Sequence, residues 1–214
     1  MAFKSKKFIE NLAREKAPGP STTFSVFHVF FALELIAEQP IGRNKLAEKL
    51  AVGEGAIRTM ISRLKDGGLI ETSRAGCSLT NKGLSIWKEF EEVFPQRVEI
   101  EKTDLTASEY NYAFLVKNSG HKIHSGIEQR DAAIVAGAKQ AIAIVNKEGN
   151  LTIESVSGNI EKNFPKASRE ILKKIMPKDN DVIIIAGANT LQGAKHGAFA
   201  ASWKLLSDNK KTAI

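Results

Sequence analysis

The sequence contains one cysteine and no long apolar segment. Cys77 alone cannot form a disulfide within the chain, which fits a reducing compartment. No apolar run of roughly 18 residues, the length that a membrane-spanning helix needs, is present, so we expect no membrane partner. The basic N-terminus (1–17) lacks the continuous apolar segment of a signal peptide. We therefore expect a cytoplasmic protein.

Motifs for catalysis, nucleotides and metals are also missing from the sequence. The loop "GANTLQG" (187–193) is neither a G-x-G-x-x-G nor a Walker loop, because it lacks the Lys-Ser/Thr that binds nucleotide phosphates. No nucleophile elbow or catalytic triad order is visible. His121 and His124 are spaced to share a helix face, but His196 and Cys77 are distant in sequence, and no H-E-x-x-H or Cys-x-x-Cys occurs. We expect no enzyme activity, no metal and no cofactor.

What the sequence does have is positive charge. The net charge is +7 and the pI is about 9.4, values that fit a polyanionic partner. The hydrophobic fraction of 43% and the charged fraction of 26% are those of an ordinary globular protein. A chain of 214 residues is long enough for two small domains, each with its own core.

The pattern of apolar residues changes near Pro95. Before it, helical spacing predicts helices over 3–16, in the apolar segment that ends at Pro40, and over 44–50, 54–66 and 84–94. After it, Val- and Ile-rich segments such as "QAIAIVNKEGNLTIESV" and "DVIIIAG" predict strands, and helices are expected near 126–138, 165–176 and 190–206. We predict an α+β protein with domains at 1–94 and 95–214.

The segment 54–66 has the pattern expected of a helix that contacts DNA. Wound at helical spacing, it places its large apolar residues on the core side: Ile57, Met60, Ile61 and Leu64. The opposite side carries glycine, short donors and arginine: Gly55, Arg58, Thr59 and Ser62, with Arg63 at the edge. In the major groove arginine pairs with guanine, Ser and Thr reach bases or phosphates, and glycine permits close approach. The alternative is an ordinary solvated helix face.

The flanking segments would complete such a surface. The preceding short helix begins with Arg43, Asn44 and Lys45, where free backbone N–H groups and positive charge favour a phosphate. The segment "GLIETSRAGCSLT" predicts a hairpin with Arg74 beside its turn, placed for the minor groove or a phosphate.

Residues 22–94 resemble the winged-helix domain of archaeal and bacterial transcription regulators. The resemblance is carried by "IGRNKLAEKLAVGEGAIRTMISRLKDGGLIE" followed by "SLTNKG". It implies binding to double-stranded DNA, usually as a homodimer on a partly palindromic operator. We therefore predict an N-terminal winged helix-turn-helix domain followed by a mixed α+β domain. That second domain resembles an uncharacterised domain attached to such winged helices in archaea, and no function follows from it.

Two segments of the second half are candidates for binding a small-molecule effector. One is the turn after "DVIIIAG", with Gly187, Asn189 and Thr190, where Asn189 or Thr190 would cap the following helix. The other is the start of the helix near 126–138, with Arg130 and Asp131. The alternatives are an ordinary strand-to-helix turn and a surface ion pair.

Three hypotheses about function follow. The first is a transcription regulator whose second domain senses a ligand or forms the dimer. The second is an enzyme in the second domain, with the winged helix as an autoregulatory or interaction module. The third is a winged helix that docks on protein, in which case DNA binding would survive replacement of Arg58 and Arg63.

Dimerisation is predicted through helices whose apolar faces lack an obvious partner within the domain. The helix of 3–16 carries Phe3, Phe8, Ile9 and Leu12. The helix of 84–94 has an apolar stripe of Trp87, Phe90 and Phe94, although that stripe would also serve to cover the core. The C-terminal sheet is the alternative surface.

Overall fold

The change of pattern along the sequence corresponds to two compact units. The computed structural model describes residues 3–14, 24–154 and 156–206. The first unit is Phe3–Phe90 and the second begins at Glu91. The division lies a few residues before the predicted boundary at Pro95, inside the helix that leads from one unit to the next.

The first unit has the element order of a winged helix-turn-helix domain. Its elements are α1 (Lys6–Ala13), α2 (Val26–Glu38), α3 (Arg43–Leu50), α4 (Glu54–Asp66), β1 (Ile70–Ser73), β2 (Gly76–Leu79) and α5 (Asn81–Val93). Strands β1 and β2 form the antiparallel hairpin expected of a wing, with Ile70 opposite Leu79. The predicted fold of this unit is confirmed.

Local sequence explains where these elements begin and turn. Helix α2 starts at a capping box, in which the Ser25 backbone N–H donates to Nδ1 of His28 at 3.0 Å. The wing is held against the chain before α3 by an antiparallel bridge between Ile41 and Cys77. Gly76 has a φ of +120°, and a Cβ there would lie 2.5 Å from the Ile41 carbonyl carbon. The wing therefore requires glycine at this position.

The apolar face of α1 is used inside the first unit. Phe3 stacks on Phe90 with ring centroids 4.5 Å apart, and Ile9 is fully buried. Trp87 is also buried in this unit. The expectation that these helices keep unpartnered apolar faces is therefore wrong, because α1 packs against α2 and α4 and the aromatic residues of α5 are buried. The described part of α1 is also shorter than predicted, and residues 15 and 16 lie outside the described residues.

The second unit is a five-stranded antiparallel sheet with helices on both faces. In chain order its elements are β3 (Arg97–Ile100), β4 (Tyr110–Val116), α6 (Ile127–Val135), β5 (Gln140–Lys147), β6 (Asn150–Thr152), α7 (Ile160–Asn163), α8 (Pro165–Lys174), β7 (Val182–Ala188) and α9 (Leu191–Leu205). The strand order is β3-β4-β7-β5-β6. The predicted α+β class is confirmed.

Alternation along the strands supplies one apolar surface to each layer of helices. On one face, Phe114 meets Phe199 of α9 at 6.0 Å between ring centroids, and α6 packs beside α9. Phe94 belongs to the same aromatic group and is fully buried there. The other face packs against α7 and α8 through a cluster that includes Ile144 and Ile171.

The fold tests the expectation about the two neighbouring histidines. His121 lies in a 3-10 turn (Gly120–Lys122) and His124 follows that turn, so the prediction that they share a helix face is wrong. Within the described ranges, no set of three or more His, Cys, Asp or Glu side chains is grouped as metal ligands would be. Helices long and apolar enough to cross a membrane are not found in the described part of the chain.

Candidate nucleic-acid interface

Helix α4 divides into a buried and an exposed face as its sequence predicts. Ile57, Met60 and Leu64 are fully buried, but Ile61, which was also expected on the core side, is only half-buried. Gly55, Arg58, Thr59 and Ser62 are exposed. The hydroxyl of Thr59 donates to the Gly55 carbonyl at 3.0 Å, and the Ser62 hydroxyl lies 3.5 Å from Asp66. The exposed face thus presents one arginine between small residues.

The N-terminal end of α4 is sterically open. A Cβ placed at Gly53 or Gly55 would meet no atom within 4 Å. The N-cap residue is Gly53, which has no side chain to accept a hydrogen bond from the backbone N–H groups of the first turn. Backbone N–H groups of the first turn therefore remain accessible to an acceptor such as a phosphate or a base edge.

A carboxylate that sequence analysis missed organises the arginines at this end. Glu54 Oε1 accepts a hydrogen bond from Nη2 of Arg58 at 2.5 Å and lies 3.7 Å from Nη2 of Arg43. The hydrogen bond from Arg58, followed by the charges of Arg58 and Arg43, lowers the pKa of Glu54. The i,i+4 spacing of Glu54 and Arg58 was visible in the sequence and predicts such a pair.

Helix α3 adds positive charge beside this end of α4. Arg43, Asn44 and Lys45 are exposed in its first turn, and the N-cap is Gly42, which makes no side-chain cap. Because Arg43 reaches Glu54, the start of α3 and the start of α4 lie on one surface. The phosphate contact expected at this turn stays a prediction.

The tip of the wing carries the predicted arginine. Arg74 is exposed and occupies the turn between β1 and β2. The backbone N–H of Ala75 donates to the Ser73 hydroxyl at 3.1 Å, which fixes the turn next to Arg74.

Arg63 is bound to the N-terminal segment of the protein. Its Nη1 donates to the carbonyl oxygens of Leu12 at 3.0 Å and Arg14 at 2.6 Å, and its guanidinium lies 5.3 Å from the ring centroid of Phe24. Helical spacing in the sequence predicts Arg63 at the edge of the exposed face. In the structure it joins α4 to the end of α1, a contact between residues about fifty positions apart that helical periodicity cannot show.

The candidate effector residues of the second unit do not form one site. Thr190 caps α9, its hydroxyl accepting from the Gly193 N–H at 3.1 Å, which confirms the predicted cap. Gly187 lies inside the sheet, where a Cβ would be 2.6 Å from Ser108. Asn189 is exposed between them. Gly187 is therefore used for packing and Thr190 for the helix start.

The second candidate pair is a surface ion pair. Nε and Nη2 of Arg130 both donate to Oδ1 of Asp131, at 3.2 and 3.1 Å. Both side chains are more than half exposed. Arg130 also lines a cavity beside β5, whose other lining residues sequence analysis did not identify.

The first unit is therefore a winged helix-turn-helix domain with a basic outer surface, followed by an α+β unit. Residues 28–94 match the family described as the CggR N-terminal DNA binding domain. Residues 107–205 match a domain of unknown function, DUF4443.

Individual proteins are similar to one or both units. The central glycolytic genes regulator of Priestia megaterium (strain DSM 319 / IMG 1521) is 40% identical over 58 residues, which are 27% of this chain and 17% of that protein. Hypothetical protein PH0730 from Pyrococcus horikoshii OT3 is 27% identical with a TM-score of 0.68, over 85% of this chain and 92% of that chain. Wild-type ZitR of Lactococcus lactis is 30% identical over 40% of this chain and 63% of its own, with a TM-score of 0.30.

Proposed function

We propose that this protein is a sequence-specific DNA-binding transcription regulator. The observation that carries the proposal is the exposed face of α4, open at Gly55 and bearing Arg58, within the region that matches a DNA-binding domain family. Helix α4 enters the major groove, the start of α3 contacts a phosphate, and Arg74 of the wing contacts the neighbouring backbone or minor groove.

Within this surface the residues have different roles. Arg58 forms the base contact, because a guanidinium donates two parallel hydrogen bonds to the guanine edge. Thr59 and Ser62 contact bases or phosphates, and Gly55 allows the backbone to approach the DNA. Arg43, Asn44 and Lys45 contact phosphates and fix the register. Arg63 supports this surface indirectly, because its hydrogen bonds hold the end of α1 on α4.

We propose further that the protein binds DNA as a homodimer joined through the second unit. Apart from Leu84, the large apolar side chains exposed in the described residues belong to that unit, and Val135 at the end of α6 is 90% exposed. Ile134, its neighbour on α6, is 43% exposed. Such a pair of exposed apolar side chains suits a two-fold contact.

The second unit has a regulatory role in this proposal and not a catalytic one. The support is that the named relative of the first unit is a regulator of genes. A regulator of this kind acts in the cytoplasm, where bacterial and archaeal DNA is found.

Selection of bound duplexes from a random DNA library tests the proposal with the full chain. We expect enrichment of a two-fold symmetric motif with half-sites about 10 base pairs apart. Affinity for the selected duplex should fall steeply with salt, as counterion release requires. Failure of any sequence to be enriched, with the protein folded, would contradict sequence-specific binding.

A matched pair of variants separates DNA binding from docking on a protein. Arg58→Ala should weaken binding to the selected duplex, whereas Arg169→Ala, an exposed arginine of the second unit, should not. Arg63 is unsuitable for this test because its replacement also releases the end of α1. DNA binding that survives Arg58→Ala unchanged would favour the docking hypothesis.

A further inference from the structure

A cavity of about 370 Å³ lies beside strand β5 in the second unit. Its volume falls within the range of about 300–1,000 Å³ that is usual for small-molecule sites. Backbone, apolar side chains and charged groups all line it.

The floor of the cavity is an open edge of the sheet. Strand β5 pairs with β7 over Gln140–Val145, but with β6 only over Val145–Lys147. Within the described chain, positions 140–144 therefore have no strand on the side away from β7. This half of β5 offers hydrogen-bonding groups of the backbone to a ligand.

Alternation along β5 identifies which backbone groups face the opening. The Asn146 N–H donates to the Asp181 carbonyl next to β7, and the Val145 carbonyl accepts from the Thr152 hydroxyl of β6. Odd-numbered residues of β5 thus direct their N–H and C=O away from β7. Ala141 and Ala143 both belong to this set and both line the cavity.

The two walls come from opposite faces of the sheet. One wall is the start of α6, including Ile127, and α6 lies on the same face as α9. The other wall includes Leu105 and Ile153, which pack against the cluster beneath α7 and α8. The apolar side chains of both walls would surround an aliphatic group.

Each wall carries one charged side chain with hydrogen-bonding capacity to spare. Arg130 uses Nε and Nη2 for Asp131, and a guanidinium has five N–H donors, so those of Nη1 remain. On the other wall, Glu154 Oε1 accepts from Lys147, and Oε2 has no hydrogen-bond partner among the described residues. A cation and an anion are thus presented from opposite sides of the cavity.

The charges around the rim balance one another. The two charged residues that line the cavity are each paired with a neighbour of opposite charge outside the lining, Arg130 with Asp131 and Glu154 with Lys147. An anion or a cation alone would therefore be repelled about as strongly as it is attracted at this site. A zwitterion, by contrast, can place its negative group near Arg130 and its positive group near Glu154.

We propose that this cavity binds a free amino acid with an aliphatic side chain. The ligand carboxylate pairs with Arg130, its ammonium group pairs with Glu154 and donates to the open edge of β5, and its side chain lies against Ile127 and Ile153. The proposal concerns the second unit alone and does not depend on DNA binding by the first.

Isothermal titration calorimetry of the full chain provides the test, with L-leucine, L-valine and L-methionine as separate probes. At least one should bind saturably. For the amino acid that binds most tightly, the analogue without the ammonium group and the analogue without the carboxylate should each bind at least tenfold more weakly. For L-leucine these are 4-methylpentanoate and 3-methylbutan-1-amine. Absence of binding by all three amino acids, or equal binding by either analogue, would overturn the proposal.

Matched variants locate the bound amino acid. Arg130→Gln and Glu154→Gln should each weaken binding at least tenfold, while Arg169→Gln and Glu161→Gln, exposed charges outside the cavity, should not. Arg130 and Glu154 are both partly exposed, so their amide replacements should fold, as circular dichroism would verify. Unchanged affinity in both cavity variants would place the amino acid elsewhere and refute the assignment.

Discussion

Replacement of Arg58 by alanine is the most direct test of how α4 recognises DNA. The guanidinium is 61% exposed and its interaction in the free protein is with Glu54, four residues earlier on the same helix. Exposed ion pairs of this kind contribute little to stability. We therefore expect Arg58→Ala to leave the free energy of unfolding almost unchanged, and its effect to appear on DNA.

The size of the expected effect follows from the geometry of base recognition. A bidentate arginine–guanine contact discriminates by about 1–3 kcal/mol, which corresponds to about a 5- to 150-fold loss of affinity for the selected duplex. In the free protein, Glu54 holds the same guanidinium on the side of α4 where the groove would lie. Glu54→Gln should release Arg58 and remove a negative charge that repels phosphates. That variant should therefore bind random DNA more tightly than the wild type does.

Fluorescence anisotropy with the selected duplex and a scrambled duplex, at two salt concentrations, measures both effects. We expect Arg58→Ala to lower the ratio of specific to non-specific affinity. An equal loss on both duplexes would assign Arg58 to a phosphate. Weaker binding of random DNA by Glu54→Gln would refute the role given to Glu54.

Four further outcomes are expected. Arg74→Ala should lower affinity on all sequences and reduce the slope of log K against log salt by about 0.9, the value of one phosphate contact; an unchanged slope would place the wing off the DNA. Arg63→Ala should lower the free energy of unfolding in urea by about 1–2 kcal/mol, because two hydrogen bonds to the end of α1 are lost; a stability equal to the wild type would refute that anchoring. Val135→Asp should dissociate the dimer in sedimentation experiments without unfolding it, whereas Met176→Asp should not; an intact dimer would move the contact elsewhere. Burial lowers the pKa of His196 below its usual value of 6.5. As the pH drops below about 6.5, the unfolded chain therefore takes up the proton before the folded protein does, and the free energy of unfolding should decrease. In urea titrations, His196→Gln should lose less stability between about pH 7 and pH 5 than the wild type does.

The first unit could be predicted because its elements are local. Helical spacing in 54–66 fixes which residues of α4 are buried, and the structure has Ile57 and Leu64 in the core with Arg58 outside. The wing follows from a short hairpin with glycine at its turn. Each of these features depends on residues a few positions apart, and such information is present in the sequence pattern.

The contacts of Arg63 and α1 could not be predicted in the same way. Helical spacing placed Arg63 at the edge of the exposed face, yet its partners are carbonyl groups of Leu12 and Arg14. Phe3 likewise looked unpartnered until the fold brought it against Phe90. An amphipathic helix reveals that it has an apolar face, but its sequence does not show what covers that face.

The cavity of the second unit depends on strand order, which the sequence pattern does not determine. The sequence of β5, "QAIAIVNK", is apolar enough to be covered on both faces, and nothing in it distinguishes an edge from an interior strand. The edge arises because β7 lies between β4 and β5, while β6 is only three residues long and pairs with the far end of β5. Ala141 and Ala143 therefore face an opening that a longer β6 would have closed. The small side chains of Ala141 and Ala143 leave, in the folded sheet, the room that a ligand requires.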